Sequence, residues 1–112
     1  MKKVLLINDD KDFQYLVTTY LEKKGFEAKA IDETDNVIPL IKQFRPEVII
    51  IDMKIEFDND ICNAIREEVK TESKIVLLTD KTIKPSAIRN CKPDAVLEKP
   101  FQPEELIEKI AR

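Results

Sequence analysis

Four short segments of this 112-residue chain place polar, chemically capable side chains directly after apolar runs. Asn8-Asp9-Asp10 follows Val4-Leu5-Leu6-Ile7, and Asp52 follows Val48-Ile49-Ile50-Ile51. Thr79-Asp80 follows Ile75-Val76-Leu77-Leu78, and Glu98-Lys99-Pro100 follows Ala95-Val96-Leu97. Alone, each is an ordinary polar end to an apolar run in a chain that is 37% charged. Together they form a coherent set. Converging carboxylates repel one another and favour a hard divalent cation, and Mg²⁺ prefers oxygen ligands while keeping several waters. A carboxylate beside such a cation can attack a phosphoryl group. A metal, a lysine and a hydroxyl donor then neutralise charge on the transferring oxygens. This chemistry requires a fold that brings the four ends together.

The elements that would do so are legible from periodicity. Lys3 to Ile7 is continuously apolar after its first residue, as a strand covered on both faces must be. Phe13, Leu16, Val17, Tyr20 and Leu21 recur on one face of a helical period. Asp10 or Asp12 caps that helix and Gly25 ends it. Phe26 to Ile31 alternates apolar and charged residues, the pattern of an edge strand. Val37 to Phe44 reads as a helix with Ile38, Ile41 and Phe44 inward and Pro39 confined to its first turn. Val48 to Ile51 is a third strand. A third helix, capped by Asp58 or Asn59, turns Ile61, Ala64, Ile65 and Val69 inward. Lys74 to Thr79 is the fourth strand. A short helix starts near Pro85 with Ile88 as its clearest core residue, Ala95 to Leu97 is the fifth strand, and Pro103 opens a helix burying Leu106, Ile107 and Ile110. Apolar strands alternating with helices predict an α/β doubly wound parallel sheet. Placing the half-polar second strand at an edge gives the order 2-1-3-4-5, the flavodoxin-like arrangement, whose site lies beyond the strand C-termini between strands 1 and 3.

Composition removes several alternatives. The length suits one compact domain. The net charge of -3, with no basic block, disfavours direct binding to nucleic acid or to an anionic membrane. No apolar run is long enough to span a bilayer, and the apolar stretch after Met1-Lys2-Lys3 is too short for a signal peptide. With no histidine, the chain has no His base, His metal ligand or phosphohistidine of its own. Cys62 and Cys91 form no CxxC pattern, which excludes a structural zinc site. One disulfide is formally available to them, but two isolated thiols without a signal peptide are expected to stay reduced in a cytoplasmic protein.

The stretches VLLINDDKDF, PEVIIIDMKI, KIVLLTD and LEKPFQPEEL resemble the receiver domain of two-component response regulators, CheY-like but divergent, over essentially the whole chain. The resemblance implies one receiver domain over residues 1–112, with Asp52 as the phosphoacceptor. Asp9 would ligate Mg²⁺ directly together with Asp52 and the backbone carbonyl of Lys54. Asn8, standing where a second acid is usual, would act through water. Thr79 corresponds to the hydroxyl that moves toward the phosphoryl oxygen on activation. Lys99 corresponds to the lysine that pairs with Asp52 and later with the phosphoryl group, and the Lys99-Pro100 bond is expected to be cis.

Departures from the family pattern carry their own expectations. Asn8 removes a negative charge and should weaken Mg²⁺ binding unless Asp10 rotates in. Val96 occupies the place of the switch aromatic, so no rotating ring would report the Thr79 movement. Asp80 stands where a small residue is usual. Lys54 and Lys81 lie two positions beyond Asp52 and Thr79, where the family tunes the lifetime of the acyl phosphate, so one of them is a candidate to neutralise Asp80. The Pro-Gly pair is missing from Met53 to Asp58, and Phe57 and Phe101 are aromatic residues near the site.

The leading expectation is a response regulator receiver in a phosphorelay. It would take a phosphoryl group from a sensor histidine kinase or phosphotransfer protein, catalyse only its own modification, and signal to a downstream protein through its fourth helix, fifth strand and fifth helix. A pseudo-receiver that binds partners without phosphorylation is the alternative. Hydrolases with an aspartyl phosphate usually carry a second Asp where this chain has Lys54, and a flavodoxin would meet charge repulsion between its phosphate and Asn8-Asp9-Asp10. No DNA-binding segment follows the last helix, which leaves either a stand-alone protein or an excised domain.

Overall fold

The computed structural model describes residues 2–32, 36–52, 54, 61–69 and 72–111. Five strands, β1 (Lys3–Ile7), β2 (Glu27–Ile31), β3 (Val48–Asp52), β4 (Lys74–Thr79) and β5 (Ala95–Glu98), alternate with five helices. These are α1 (Lys11–Lys23), α2 (Val37–Phe44), α3 (Ile61–Glu68), α4 (Pro85–Cys91) and α5 (Pro103–Ala111). The sheet is parallel in the order β2-β1-β3-β4-β5, as the patterning predicts.

Period-two alternation splits the core between the two sheet faces. Leu5, Ile7, Ile49, Ile51, Ile75 and Leu77 meet α2, α3 and α4, represented by Ile41, Ile65 and Cys91. Val4, Leu6, Val48, Ile50, Val76, Leu78 and Leu97 meet α1 and α5, represented by Leu21 and Leu106. Every residue of β3 is buried, whereas β2 alternates exposed and partly buried residues at its edge position.

Local chemistry sets the helix ends. Asp10, not Asp12, caps α1, accepting from the N–H groups of Asp12 at 3.0 Å and Phe13 at 3.2 Å. Gly25, at φ 93°, turns the chain from α1 into β2. Pro39 falls in the first turn of α2 and Pro85 opens α4, where a missing N–H costs little. Arg45 and Lys92 end α2 and α4 in the left-handed conformation. The α3 caps considered from sequence, Asp58 and Asn59, lie outside the described residues, as does Phe57.

Three expectations are corrected. Leu16 is 66% exposed, because Val17 and Leu21 are the residues of α1 that point straight at the sheet. In α4 the fully buried residue is Cys91, while Ile88 only packs partly against the core. Cys62 and Cys91 are joined in a disulfide, with Cα atoms 5.4 Å apart. Twenty-nine residues separate them in sequence, but the start of α3 and the end of α4 lie side by side on one sheet face. No helix among the described residues is long and apolar enough to cross a membrane.

Candidate functional site

Register brings the polar ends together. Ile7 pairs with Ile51 across β1 and β3, so Asn8 and Asp52, each the next residue, lie side by side. Thr79 pairs with Glu98 across β4 and β5, and the Lys99 N–H extends the ladder by donating to the Thr79 carbonyl at 2.7 Å. Lys99 is thereby aimed back over the sheet edge. The Lys99-Pro100 bond is cis, as the resemblance implied.

Asp52 is the centre of the site. It is only 4% exposed, and donors from three chain segments meet its carboxylate. Asn8 Nδ2 donates to Oδ2 at 2.8 Å. The Lys99 ammonium forms an ion pair with the same oxygen. The Lys54 backbone N–H donates to Oδ1 at 3.0 Å. A buried carboxylate needs this company, because unpaired it would lose its hydration without compensation. Lys99 is steadied from the other side by the face of Phe13, 4.9 Å from its Nζ, and Phe13 meets the ring of Phe101 edge-on at 6.3 Å. Phe101 is therefore packed and half-buried.

Asn8 is 1% exposed and is itself held on both sides. Its Oδ1 accepts from the Asp10 N–H at 2.7 Å, and its backbone carbonyl accepts from the Gln14 side-chain amide. Sequence reasoning missed Gln14. A glutamine on the polar side of an amphipathic helix carries no signal that it reaches back to the preceding strand.

The remaining predicted residues are placed as follows. Asp9 is exposed beside Asn8. Asp10 is committed to capping α1. Thr79 is buried at the end of β4, its hydroxyl directed to the Asp80 carbonyl at 3.4 Å rather than to Asp52. Val96 is half-buried in β5. The Asp80 carboxylate accepts from both the hydroxyl and the N–H of Thr82, another residue that sequence reasoning did not single out. Those bonds, led by the hydroxyl, hold its pKa below the ordinary carboxylate value, with Lys54 and Lys99 contributing as more distant charges. Lys54 and Lys81 are exposed. The hydrogen-bond partner of Asp80 is thus Thr82, and Lys54 acts on it as a more distant charge.

Asp52, whose Oδ1 accepts from the Lys54 N–H, and the exposed Asp9 beside Asn8 are both hard oxygen donors. Mg²⁺ is commonly bound through one or two carboxylates plus waters, so these residues fit that ion. Among the described residues no group of three or more His, Cys, Asp or Glu side chains converges as a metal site.

Comparison with known proteins gives a consistent result. The family model described as the response regulator receiver domain matches residues 4–111. The DNA-binding response regulator MtrA of Mycobacterium tuberculosis is 25% identical over 97% of this chain and 49% of its own length. The phosphate regulon transcriptional regulatory protein PhoB of Escherichia coli is 23% identical over 97% of this chain and 50% of its own length. The chain thus spans about half the length of these curated relatives. The chemotaxis response regulator CheY4 of Vibrio cholerae superposes with a TM-score of 0.87 at 25% identity, covering 100% of this chain and 98% of that one. A CheY-like receiver domain protein of Methanospirillum hungatei gives 0.84 at 26% identity, covering 97% and 90%.

Proposed function

Since the chain belongs to the response regulator receiver family, we propose that it accepts a phosphoryl group on Asp52 from a partner phosphohistidine and so switches its protein contacts. The observation that carries this reading is the convergence of Asn8, the Lys54 N–H and Lys99 on the buried Asp52 carboxylate. Among the described residues Oδ1 has one donor where Oδ2 has two, and so keeps the freer lone pairs for attack. The Oδ1–P bond forms as the P–N bond to the donor imidazole breaks, and the electron pair leaves with the imidazole. Lys99, already beside the carboxylate, neutralises charge on the phosphoryl oxygens, and the Thr79 hydroxyl turns from the Asp80 carbonyl toward them. Hydrolysis reverses the state: water attacks phosphorus, the O–P bond breaks, and phosphate leaves. The chain catalyses only its own phosphorylation and dephosphorylation.

Asp9, Asp52 and the Lys54 carbonyl, with Asn8 through water, would hold Mg²⁺. When bound, it adds positive charge to the developing phosphoryl group. In this reading residues 1–112 form one receiver domain. Its partners are a sensor histidine kinase or phosphotransfer protein and a downstream protein that contacts the face of α4, β5 and α5.

Intact-mass analysis after incubation with Mg²⁺ and a small phosphodonor, beside Asp52→Ala, tests the reading. A single adduct lost in Asp52→Ala is expected. A folded protein with no adduct, also after incubation with phosphorylated histidine kinases, favours the second reading, a pseudo-receiver working through unmodified surfaces. The observation behind that alternative is that the side chain beside Asp52 Oδ2 is the amide of Asn8 and not a second acid.

A further inference from the structure

Asn8 sits where a carboxylate would create a need for a cation. Its Oδ1 accepts from the Asp10 N–H, which leaves Nδ2 as the group facing Asp52 Oδ2 at 2.8 Å. Gln14 fixes the backbone of the same residue, and Asn8 is fully enclosed, so the amide has no room to choose another arrangement. An acid in that geometry would set two carboxylate oxygens in contact, with Lys99 as the adjacent positive charge. Such a pair is strongly repulsive in a buried setting unless a cation or proton joins it. The amide removes the repulsion and replaces it with a hydrogen bond to an ionised acceptor, one of the stronger kinds.

We propose that Asn8 is a positioning residue that holds the Asp52 carboxylate in place of a resident divalent cation, so that the resting site is organised without metal. The inference rests on the receiver reading for the identity of Asp52 as the acceptor. It concerns the unphosphorylated protein and is tested without phosphorylation. A failure to form an adduct would leave it standing, and tight resting metal binding alongside normal adduct formation would overturn it alone.

The experiment compares wild type, Asn8→Asp and Asn8→Ala by calorimetric titration with Mg²⁺ and by thermal unfolding with and without the ion. Wild type is expected to keep its Tm when Mg²⁺ is raised to millimolar levels. Asn8→Asp is expected to unfold at a temperature lower by roughly 4 °C or more without metal, since it sets a second buried carboxylate against that of Asp52. Millimolar Mg²⁺ should restore it, with affinity ~10–100-fold above wild type. Asn8→Ala should also lose stability, but without rescue by Mg²⁺, which separates positioning by charge from simple packing. Wild-type binding as tight as that of Asn8→Asp, or equal Mg²⁺ rescue of all three proteins, overturns the proposal. Should Asn8→Asp fail to fold, NMR of the wild type decides. The Asn8 side-chain amide signals should be sharp and slow to exchange before any Mg²⁺ is added, and an amide that becomes ordered only with Mg²⁺ sinks the proposal.

Discussion

At the scale of single residues, the site is a problem in matching donors to carboxylates. Asp52 is answered by Asn8, Lys54 and Lys99, and Asp80 by Thr82. These two acids differ in what supports them. Asp52 draws on two distant segments, through Asn8 and Lys99, as well as on the Lys54 N–H of its own turn, whereas Asp80 is satisfied within its own turn alone. The hydroxyl and N–H of Thr82 stabilise the charged form of Asp80, which lowers its pKa. A lowered carboxyl pKa contributes stability above the unfolded value, and this is lost as pH falls through the folded value. Thr82→Ala should therefore move the Asp80 titration upward toward the ordinary carboxylate range, read by carbon NMR of the side-chain carboxyl. An unchanged titration would show that the residue-82 backbone N–H, which the substitution keeps, holds the carboxylate without the hydroxyl. Thr82 was not legible beforehand because its role depends on one turn of backbone, not on any spacing of apolar residues.

At the scale of elements, α1 both packs and positions. Its cap, Asp10, is the residue whose N–H orients the Asn8 amide, so the start of the helix and the floor of the site are one structure. Asp10→Ala should cost about 1 kcal/mol, the usual value for losing an N-cap. By contrast Leu16→Ala should change stability by less than about 0.5 kcal/mol, because a 66% exposed side chain loses little burial. Urea unfolding of the two variants checks both, and a large loss in Leu16→Ala would mean that Leu16 is covered in solution. The sequence period marked Leu16 as inward because the apolar stripe of α1 is wider than the contact it makes. Val17 and Leu21 meet the sheet, Phe13 and Tyr20 flank them, and Leu16 lies beyond the edge. Helical spacing identifies the stripe, but only the neighbouring α5 and the loop after β5 decide how much of it is covered.

At the scale of the whole molecule, two apolar layers share one sheet, so neither can form without the other. The strands of β1, β3 and β4 supply residues to both layers alternately. The described fold should therefore unfold in one cooperative step, with far-UV circular dichroism and tyrosine fluorescence giving coincident urea transitions. Two separated transitions would contradict a single receiver domain. The strand order was legible because burial on both faces needs continuous apolar runs, while an edge tolerates the alternation of β2. The four polar ends were legible as candidates for the same reason: each terminates a run that must lie inside the sheet. Side-chain contacts between one element and another were not legible. The pairing of Cys62 with Cys91, the reach of Gln14 to Asn8 and the choice of Oδ2 by both Asn8 and Lys99 depend on interelement distances of a few ångströms. Apolar periodicity is a one-dimensional record of burial and so determined the elements, their order and the edge where chemistry gathers. Hydrogen bonds are short and directional, and only the packed chain decided which donor answers which carboxylate.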